Sequence, residues 1–597
     1  MSLPEGIEIF KHIVPKEYHW TEYFVFSAVL VFSTAIPIFD KMIYNKNLVK
    51  NLAHSFVSAV TLLGNPVEVY FYGQQYTMIV FAFVPMTILL SYFYVPVYLD
   101  LQLNSAYQII YTPITVLGPC LAIDHVAGFD YRISSAAIFT VCIVNSAMGG
   151  RLSATLWTNT LQTTVMFTAL FALAISSIIE LGGLSSAWER SAASGRTKVF
   201  DMDFDPRTRH TFWTAIIGGT LLWLPIFGAT QAQIQHYNYL TTISQSRQCL
   251  FSNMIGMMLV MLFCSFNGFL VYARYYECDP VTAKIITATD ELLPYYVMDL
   301  FRNYPILPGL LVAGITCGSL TTVSSTISSL AVLLTEDFLK HYRPSLNSAE
   351  LERSSRIISI LCGVLGYGLV FLIKLINETM QISPFSTLVH GSLLGPILGA
   401  FSLGMFLPWT NTLGTLLGLL ASVVITGFIG IGNIVAEKLY LLPDMKLSLS
   451  LRGCSCTNST SIETIIMPCS DFISPQNLTQ LDTFDSFDWK ENDDSIFIKI
   501  WSTSYIWQPG IGVVSTLFFG AVFSIIVTSI NRKHVKKVPA RLLSKPFIKL
   551  WNKVIGDARM RQWIEYDNKN DDFPNFGFRN YPPTNGNANP AWISTKL

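Results

Sequence analysis

Serine and threonine crowd one apolar segment of the chain, residues 314–338, which reads GITCGSLTTVSSTISSLAVLLTEDF. Gly318, Thr321 and Thr322 follow the i, i+3, i+4 spacing that places residues on one helix face. Hydroxyl oxygens and freed backbone carbonyls are suitable ligands for a hard monovalent cation. The alternative is that these hydroxyls bond to carbonyls of their own helix or join neighbouring helices. The segment is therefore either a cation-binding helix or a helix that uses hydroxyls for packing.

A second segment, residues 55–73, carries the helix-breaking sequence Gly64-Asn65-Pro66 in its middle. Proline lacks an amide hydrogen and clashes with the preceding turn, so we expect it to interrupt the helix. An interrupted membrane helix exposes carbonyl oxygens that can bind ions. This segment is the second candidate for a binding site.

Ionisable residues within the apolar segments are few, and Glu68, His54 and His390 are the ones to weigh. For Glu68 and His54, near the ends of their segments, a functional role competes with solvation at the membrane surface. His390 is interpreted as a packing residue. The apolar segments lack the chain of carboxylates that a proton relay would need. They also lack the metal cluster or nucleophile–base pair that would indicate an enzyme. The Cys454-x-Cys456 pair lacks the further ligands of a zinc site.

The elements that must position these residues are membrane helices. The 597 residues are 51% hydrophobic and 13% charged, and the mean hydropathy is +0.44. Basic and acidic residues are equal at 39 each, so nothing indicates nucleic-acid binding. We predict an all-α membrane protein with about 13 transmembrane helices, each crossing with about 20 apolar residues. The predicted spans are 21–43, 52–70, 76–97, 106–126, 131–149, 157–180, 212–232, 249–275, 309–336, 355–376, 382–407, 411–434 and 504–530.

The charges predict a plasma-membrane protein with its N-terminus outside and its C-terminus in the cytosol. The segment NRKHVKKVPARLLSKPFIKLWNK after the last span is basic, as are predicted cytosolic loops with Arg247, Lys340, Arg343 and Arg353. This gives an extracellular N-terminus (1–20), a transmembrane core with flanking helices (21–434), an extracellular loop (435–503), the last transmembrane helix (504–530) and a cytosolic tail (531–597).

The predicted outer loops carry candidate modification sites. Asn458 and Asn477 stand in N-x-[ST] sequons of the 435–503 loop and are candidate glycosylation sites, whereas Asn377 is too close to the membrane. Four outer cysteines could form disulfides, in a pairing that the sequence leaves open: Cys278, Cys454, Cys456 and Cys469.

Several ordered motifs resemble the solute:sodium symporter family, in its branch of sodium-coupled monocarboxylate, multivitamin and iodide transporters. The similar segments cover most of the chain: SAVTLLGNPVEVYFYG (58–73), LWTNTLQ (156–162), FDPRTRHTFWTAIIGG (204–219), QAQIQHY (231–237), CDPVTAKIITATDELLPYYVMDL (278–300), YPILPGLLVAGITCGSLTTVSS (304–325) and GPILGAFSLGMFLPWTN (395–411).

The resemblance implies a core of five plus five helices in an inverted repeat, with discontinuous helices around a central substrate cavity. It implies Na⁺ as the coupling ion, bound by backbone carbonyls of His54 and Val57 and by Gly318, Thr321 and Thr322 on the opposing helix. The substrate-binding candidates that the resemblance implies are Ser58, Thr61, Asn159, Gln162, Trp223, Gln231 and Phe401.

The chain departs from the family pattern at three places. The family usually has Trp-Thr-Asp where this chain has Trp157-Thr158-Asn159, so a carboxylate associated with a second cation is replaced by an uncharged amide, while Gln162 is retained. Regions 44–55 and 107–121 are shorter than their family counterparts. Either these are true variations or the sequence derives from an imperfect gene model.

The resemblance implies a Na⁺-coupled symporter that imports a small organic anion, a monocarboxylate or an anionic vitamin, with iodide or a sugar as further options. The alternative is a transport-deficient relative that acts as a membrane sensor or regulatory subunit. Besides the solute and membrane lipid, a PDZ domain is a candidate partner, because Thr595-Lys596-Leu597 has the C-terminal pattern that such domains bind.

Overall fold

The computed structural model describes the helical body of the chain and parts of its loops. The described residues are 7–9, 20–43, 59–101, 111–148, 152–230, 233–234, 237, 242–286, 288–301, 306–343, 345–377, 382–439, 441–442, 445–451, 453–458, 466–468, 495–530 and 537–565.

Helices dominate these residues. Those of the first half are α1 (Trp20–Ile43), α2 (Ala59–Tyr72), α3 (Gln74–Leu99), α4 (Tyr111–Ala127), α5 (Tyr131–Met148), α6 (Leu152–Glu180), α7 (Leu184–Ala193), α8 (Thr214–Ala229) and α9 (Ile243–Tyr275). Those of the second half are α10 (Leu292–Leu300), α11 (Ile306–Leu334), α12 (Ser348–Asn377), α13 (Ile382–Phe406), α14 (Thr412–Lys438), α15 (Ile496–Trp501), α16 (Gln508–Ile530), α17 (Lys545–Ile555) and α18 (Asp557–Trp563).

Local sequence explains where several helices begin and end. The Thr242 and Asn411 side chains accept hydrogen bonds from the backbone amides of Gln245 and Gly414, and so cap the starts of α9 and α14. Gly73 separates α2 from α3 with a φ of 85°, a conformation that glycine adopts most readily. Within the larger spans, α3 begins as a 3₁₀ helix (Gln74–Ala82), and α8 begins with a π turn (Thr214–Gly218).

Eight helices among the described residues are long and apolar enough to cross a membrane, and three shorter apolar helices accompany them. The prediction of an all-α membrane protein is thereby confirmed, but the count of about 13 crossings is not. Most observed bounds lie close to the predicted ones. The span predicted at 106–126, for example, is observed as Tyr111–Ala127 and continues through Pro119.

Helix α11 lies at the centre of the bundle. In its apolar window, 78% of the residues are buried inside the protein, whereas only 28% are buried in α14. Helix α11 packs against α1, α4, α5, α6 and α12. Helices α13, α14 and α16 pack together on another side, where an added Cβ at Gly418 would lie 2.4 Å from the Gly520 backbone. Such close approach through small residues is typical of membrane helix pairs.

The expected break at Gly64-Asn65-Pro66 is not observed, because α2 runs through Pro66 as a continuous helix. Proline removes one backbone hydrogen bond, and the surrounding packing tolerates that loss. Gly268 of α9 makes room for the proline, since an added Cβ there would lie 2.5 Å from the Pro66 oxygen. The Asn65 amide oxygen accepts a hydrogen bond from Tyr76 at 2.8 Å, which ties α2 to α3.

Short strands and a disulfide organise the loops at one end of the bundle. Strand β1 (Ile7–Ile9) pairs antiparallel with β2 (Ser455–Asn458), and β2 pairs with β3 (Ile466–Pro468). Just before β2, Cys454 forms a disulfide with Cys278, which follows α9. This resolves part of the pairing that the sequence left open. Cys456 lies in β2, and Cys469 lies outside the described residues.

Candidate functional site

The hydroxyl face of α11 contacts α6 through one buried polar pair. The Thr321 hydroxyl lies 2.5 Å from the Gln162 side-chain oxygen and 2.8 Å from the Cys317 carbonyl oxygen, and it can donate its hydrogen to either. Thr321 and Gln162 are 3% and 2% exposed, so this contact is shielded from solvent. Two residues expected to act at ion or substrate sites are thereby brought together at one helix interface.

The other hydroxyls of α11 bond mainly within their own helix. Thr322 donates to the Gly318 carbonyl at 3.1 Å, and Thr326 donates to the Thr322 carbonyl at 2.7 Å. This is the packing alternative stated above. However, a hydroxyl that donates its single hydrogen keeps oxygen lone pairs that can face a cation. The arrangement is therefore compatible with Na⁺ coordination at Thr321 and Thr322.

The opposing half of the expected Na⁺ site, His54 and Val57, lies outside the described residues, as do Ser58 and Gln231. Asn159 lies in α6, three residues before Gln162.

The remaining substrate candidates lie on three helices. Thr61 is buried in α2, while Trp223 in α8 and Phe401 in α13 are half-buried and pack against the same hydrophobic cluster. Helix α13 packs against both α2 and α8, so the three helices are neighbours. The Trp223 ring centroid lies 5.0 Å from that of Phe83. The Trp223 indole N–H is buried and has no hydrogen-bond partner within the described part of the chain.

Glu68 is fully buried, and the alternative of solvation at the membrane surface is therefore wrong. Its carboxylate accepts hydrogen bonds from Arg209 at 2.7 and 3.1 Å, and it lies 2.9 Å from the His210 ring. The Arg209 guanidinium also lies over the rings of Tyr72 and Tyr505, at 4.0 and 4.8 Å from their centroids. These contacts join α2, the loop before α8 and the start of the last membrane span.

Burial lowers the pKa of His210, against the opposing effect of the Glu68 carboxylate. The ring is consequently neutral at pH 7 and donates an Nε2 hydrogen to Glu68. Arg209 carries the compensating charge: burial lowers the pKa of this guanidinium, but the Glu68 carboxylate, with Tyr72 and Tyr505, raises it well above its ordinary value.

Sequence reasoning singled out Glu68 but missed its partners. The available signal was the Arg209-His210 pair directly before an apolar span, because a buried carboxylate needs a nearby cation.

Sequence reasoning also missed Arg196, which is 2% exposed. That guanidinium donates to the backbone carbonyls of Tyr70, Leu447 and Ser448 and lies 3.7 Å from the Tyr272 ring centroid. His390 is buried in α13.

Comparisons with known proteins decide the family. A model described as the sodium:solute symporter family matches residues 47–422. The human sodium-coupled monocarboxylate transporter 1 is 32% identical over 566 residues, which cover 88% of this chain and 89% of that protein. The chain belongs to the sodium:solute symporter family. Membership confirms the resemblance in the motifs and identifies a transporter rather than an enzyme.

Two further relatives bear on solute and fold. The rabbit (Oryctolagus cuniculus) sodium-dependent multivitamin transporter is 29% identical, with 86% of this chain and 83% of that protein covered. A solved structure described as the substrate-bound outward-open state of a Na⁺-coupled sialic acid symporter matches with a TM-score of 0.61 and 16% identity, over 85% of this chain and 98% of that one. The symporter is thus a multi-pass membrane protein that couples solute transport to Na⁺.

Proposed function

We propose that this symporter imports a small organic anion, a monocarboxylate or an anionic vitamin, across the plasma membrane. The observation that carries the proposal is the 32% identity to a sodium-coupled monocarboxylate transporter along 88% of the chain. The similarity extends to a multivitamin transporter with almost the same coverage. The names of these relatives give a monocarboxylate and vitamins as their solutes, and the proposal takes its two solute classes from them.

The proposed Na⁺ site lies between the start of α2 and the hydroxyl face of α11. The carbonyls of His54 and Val57 would supply oxygens from one side, and Gly318, Thr321 and Thr322 would line the other. The buried Thr321–Gln162 contact supports this placement, because it fixes the orientation of one hydroxyl at the α6–α11 interface. Na⁺ bound between two helices would stabilise one packing of α2 against α11, which couples the ion to solute access.

The proposed solute pocket is lined by Ser58, Thr61, Trp223, Gln231 and Phe401. The buried, unpaired indole N–H of Trp223 supports a polar solute, because a buried donor without a partner is unfavourable unless a ligand or water accepts its hydrogen. The aromatic rings of Trp223 and Phe83 would contact the apolar part of a monocarboxylate.

Asn159 bears on the number of coupled ions. Replacing the family's carboxylate by an amide removes a charge that would stabilise a second Na⁺ in low dielectric. We therefore expect one Na⁺ per monovalent anion and no net charge movement. Each elementary charge would otherwise add about 2.3 kcal/mol of driving force per 100 mV. Hyperbolic Na⁺ activation without substrate-evoked current supports this stoichiometry, whereas a sigmoidal curve with robust inward current contradicts it. The Asn159→Asp variant is the matched comparison.

The proposed orientation has the N-terminus outside and the C-terminus in the cytosol. The Cys278–Cys454 disulfide supports an extracellular position for the loops that carry it, because disulfides persist in oxidising compartments. The same orientation puts Asn458 and Asn477 on the glycosylated side. Enzymatic removal of N-glycans should increase the electrophoretic mobility of the wild type and leave the Asn458→Gln/Asn477→Gln variant unchanged.

The last three residues, Thr595-Lys596-Leu597, are proposed to bind a cytosolic PDZ domain through strand addition and capture of the terminal carboxylate. They lie outside the described residues. A pull-down with the full chain should recover PDZ proteins that a chain ending at Ala591 does not. Equal recovery by both chains would refute the proposal.

A radiotracer screen tests the proposed substrate class. Vesicles that contain only this protein are incubated with external labelled monocarboxylates, anionic vitamins, iodide or glucose, with and without an inward Na⁺ gradient. We expect Na⁺-dependent uptake of one or more organic anions only. Binding of an anion without uptake would favour the alternative, a transport-deficient sensor or regulatory subunit.

A further inference from the structure

The chain has an amphipathic helix, α17, which begins at Lys545, whereas the last membrane span ends at Ile530. Its sequence is KPFIKLWNKVI, and Pro546 occupies a position near its start that suits proline. No residue of α17 is buried, although six of its eleven residues are large and apolar. Such a helix has more apolar surface than its contacts with the protein cover.

One side of α17 is held at the end of α13. The Phe547 ring stacks on Phe406, the last residue of α13, with centroids 4.0 Å apart. The Trp551 indole donates a hydrogen bond to the Phe406 carbonyl at 2.8 Å and packs edge-on against Trp409. Phe547 also contacts Phe93 of α3. Because α13 and α3 are membrane spans, these contacts hold α17 at the level where the bilayer meets water.

The other sides of α17 form two exposed rows. Lys545, Lys549 and Lys553 are spaced four residues apart and therefore lie along one face. Leu550 and Val554 form the neighbouring row, and they are 49% and 65% exposed. Leu550 and Val554 adjoin the docked side that carries Phe547 and Trp551, and the lysine row lies beyond them on the face away from that side. A docked side, a basic row and an exposed apolar row are the properties of a helix that lies in a membrane surface.

We propose that α17 binds the anionic bilayer surface around the transporter, with Leu550 and Val554 in the acyl boundary and the three lysines on lipid phosphates or carboxylates. Two observations favour lipid over a protein partner. The apolar row adjoins Phe547, which contacts two membrane spans, and the preceding sequence adds Arg532, Lys533, Lys536 and Lys537 to the positive charge. The proposal rests on the cytosolic position of the C-terminus, since the cytosolic leaflet carries the anionic lipids.

The lipid contact is tested by the depth of a spin label in the reconstituted full chain. A label at Val554→Cys is compared in phosphatidylcholine vesicles with and without phosphatidylserine. Frequent collisions of the spin label with oxygen indicate that the label lies in the acyl region. Frequent collisions with a polar nickel chelate indicate that it lies in water. We expect the oxygen-to-nickel ratio to rise severalfold when phosphatidylserine is present. A ratio equal to that of a label at exposed Arg559→Cys, in both lipids, would overturn the proposal.

Charge variants separate the lysine row from a general charge effect. The triple variant Lys545→Gln/Lys549→Gln/Lys553→Gln should lose the rise with phosphatidylserine, and the three Lys→Arg changes should retain it. The matched control Arg343→Gln/Arg353→Gln/Arg356→Gln removes the same charge from exposed positions elsewhere and should retain it too. The proposal would be contradicted if the Lys→Gln and Arg→Gln triple variants lost the rise in the oxygen-to-nickel ratio equally, or if neither variant lost it. None of these readouts depends on solute transport.

Discussion

At the residue scale, most described hydroxyls of α11 bond within their helix, and Thr321 also contacts the Gln162 side chain of α6. Its spacing relative to Gly318 and Thr322 could be predicted from the sequence. Its contact with Gln162 could not, because spacing along a helix gives the face of a residue but not what lies opposite. The family resemblance named both residues without bringing them together.

Removing the hydroxyls of Thr321 and Thr322 tests the proposed Na⁺ site. The change to valine keeps the side-chain shape and removes two oxygens, and a bond to a charged group contributes about 1.5–3 kcal/mol. We expect the apparent Na⁺ affinity of tracer uptake to fall by about tenfold or more. Thr316→Val is the control, because Thr316 is a buried threonine of α11 that bonds to its own helix. Unchanged Na⁺ affinity in the double variant would place the site elsewhere.

Neutralising Glu68 tests the buried ion cluster. Glu68→Gln keeps the shape but leaves Arg209 without its charge partner, and breaking a buried pair costs about 3–5 kcal/mol. We expect a clearly lower melting temperature of the purified protein. Glu352→Gln is the matched control, since Glu352 pairs with Arg356 on the surface of α12, and exposed pairs contribute about 1 kcal/mol or less. The structural role of Glu68 would be refuted by equal melting temperatures in the two variants.

At the element scale, hydropathy predicted most helices because a span must satisfy its backbone hydrogen bonds internally. The helix break that we expected at Pro66 was wrong, because tertiary packing preserves the helix although the local propensity of proline favours a break. Hydropathy also could not predict how residues 445–451, called the 445–451 strap, are attached to the bundle. The Cys278–Cys454 disulfide is a connection between distant loops, and the sequence alone left its pairing open.

The guanidinium of Arg196 holds the 445–451 strap by donating to the Leu447 and Ser448 carbonyls at 3.2 and 3.0 Å. A lysine ammonium lacks the planar set of donors that reaches several carbonyls at once. We therefore expect Arg196→Lys to accelerate tryptic cleavage after Lys446, measured by mass spectrometry of the fragment that begins at Leu447. Arg190→Lys is the control, because Arg190 donates to the Ala273 carbonyl and not to the strap. If both variants are cleaved at the wild-type rate, Arg196 does not hold the strap.

At the scale of the whole molecule, composition and apolar spans indicate a membrane protein, but they are common to many unrelated transporters. Ordered motifs along the chain identified the family, and the 0.61 TM-score to a Na⁺-coupled symporter shows the same fold at 16% identity. The solute is a different matter, because it depends on the shape and polarity of a few pocket residues. Ser58 and Gln231 lie outside the described residues, so the pocket is only partly defined.

Accumulation of a labelled monocarboxylate in vesicles that contain only this protein tests the central claim most directly. With Na⁺ outside and none inside, we expect the internal concentration to exceed the external one transiently. With equal Na⁺ on both sides, or after an ionophore has collapsed the gradient, it should only reach the external concentration. The account would be contradicted if accumulation for every organic anion tested were the same with and without the Na⁺ gradient.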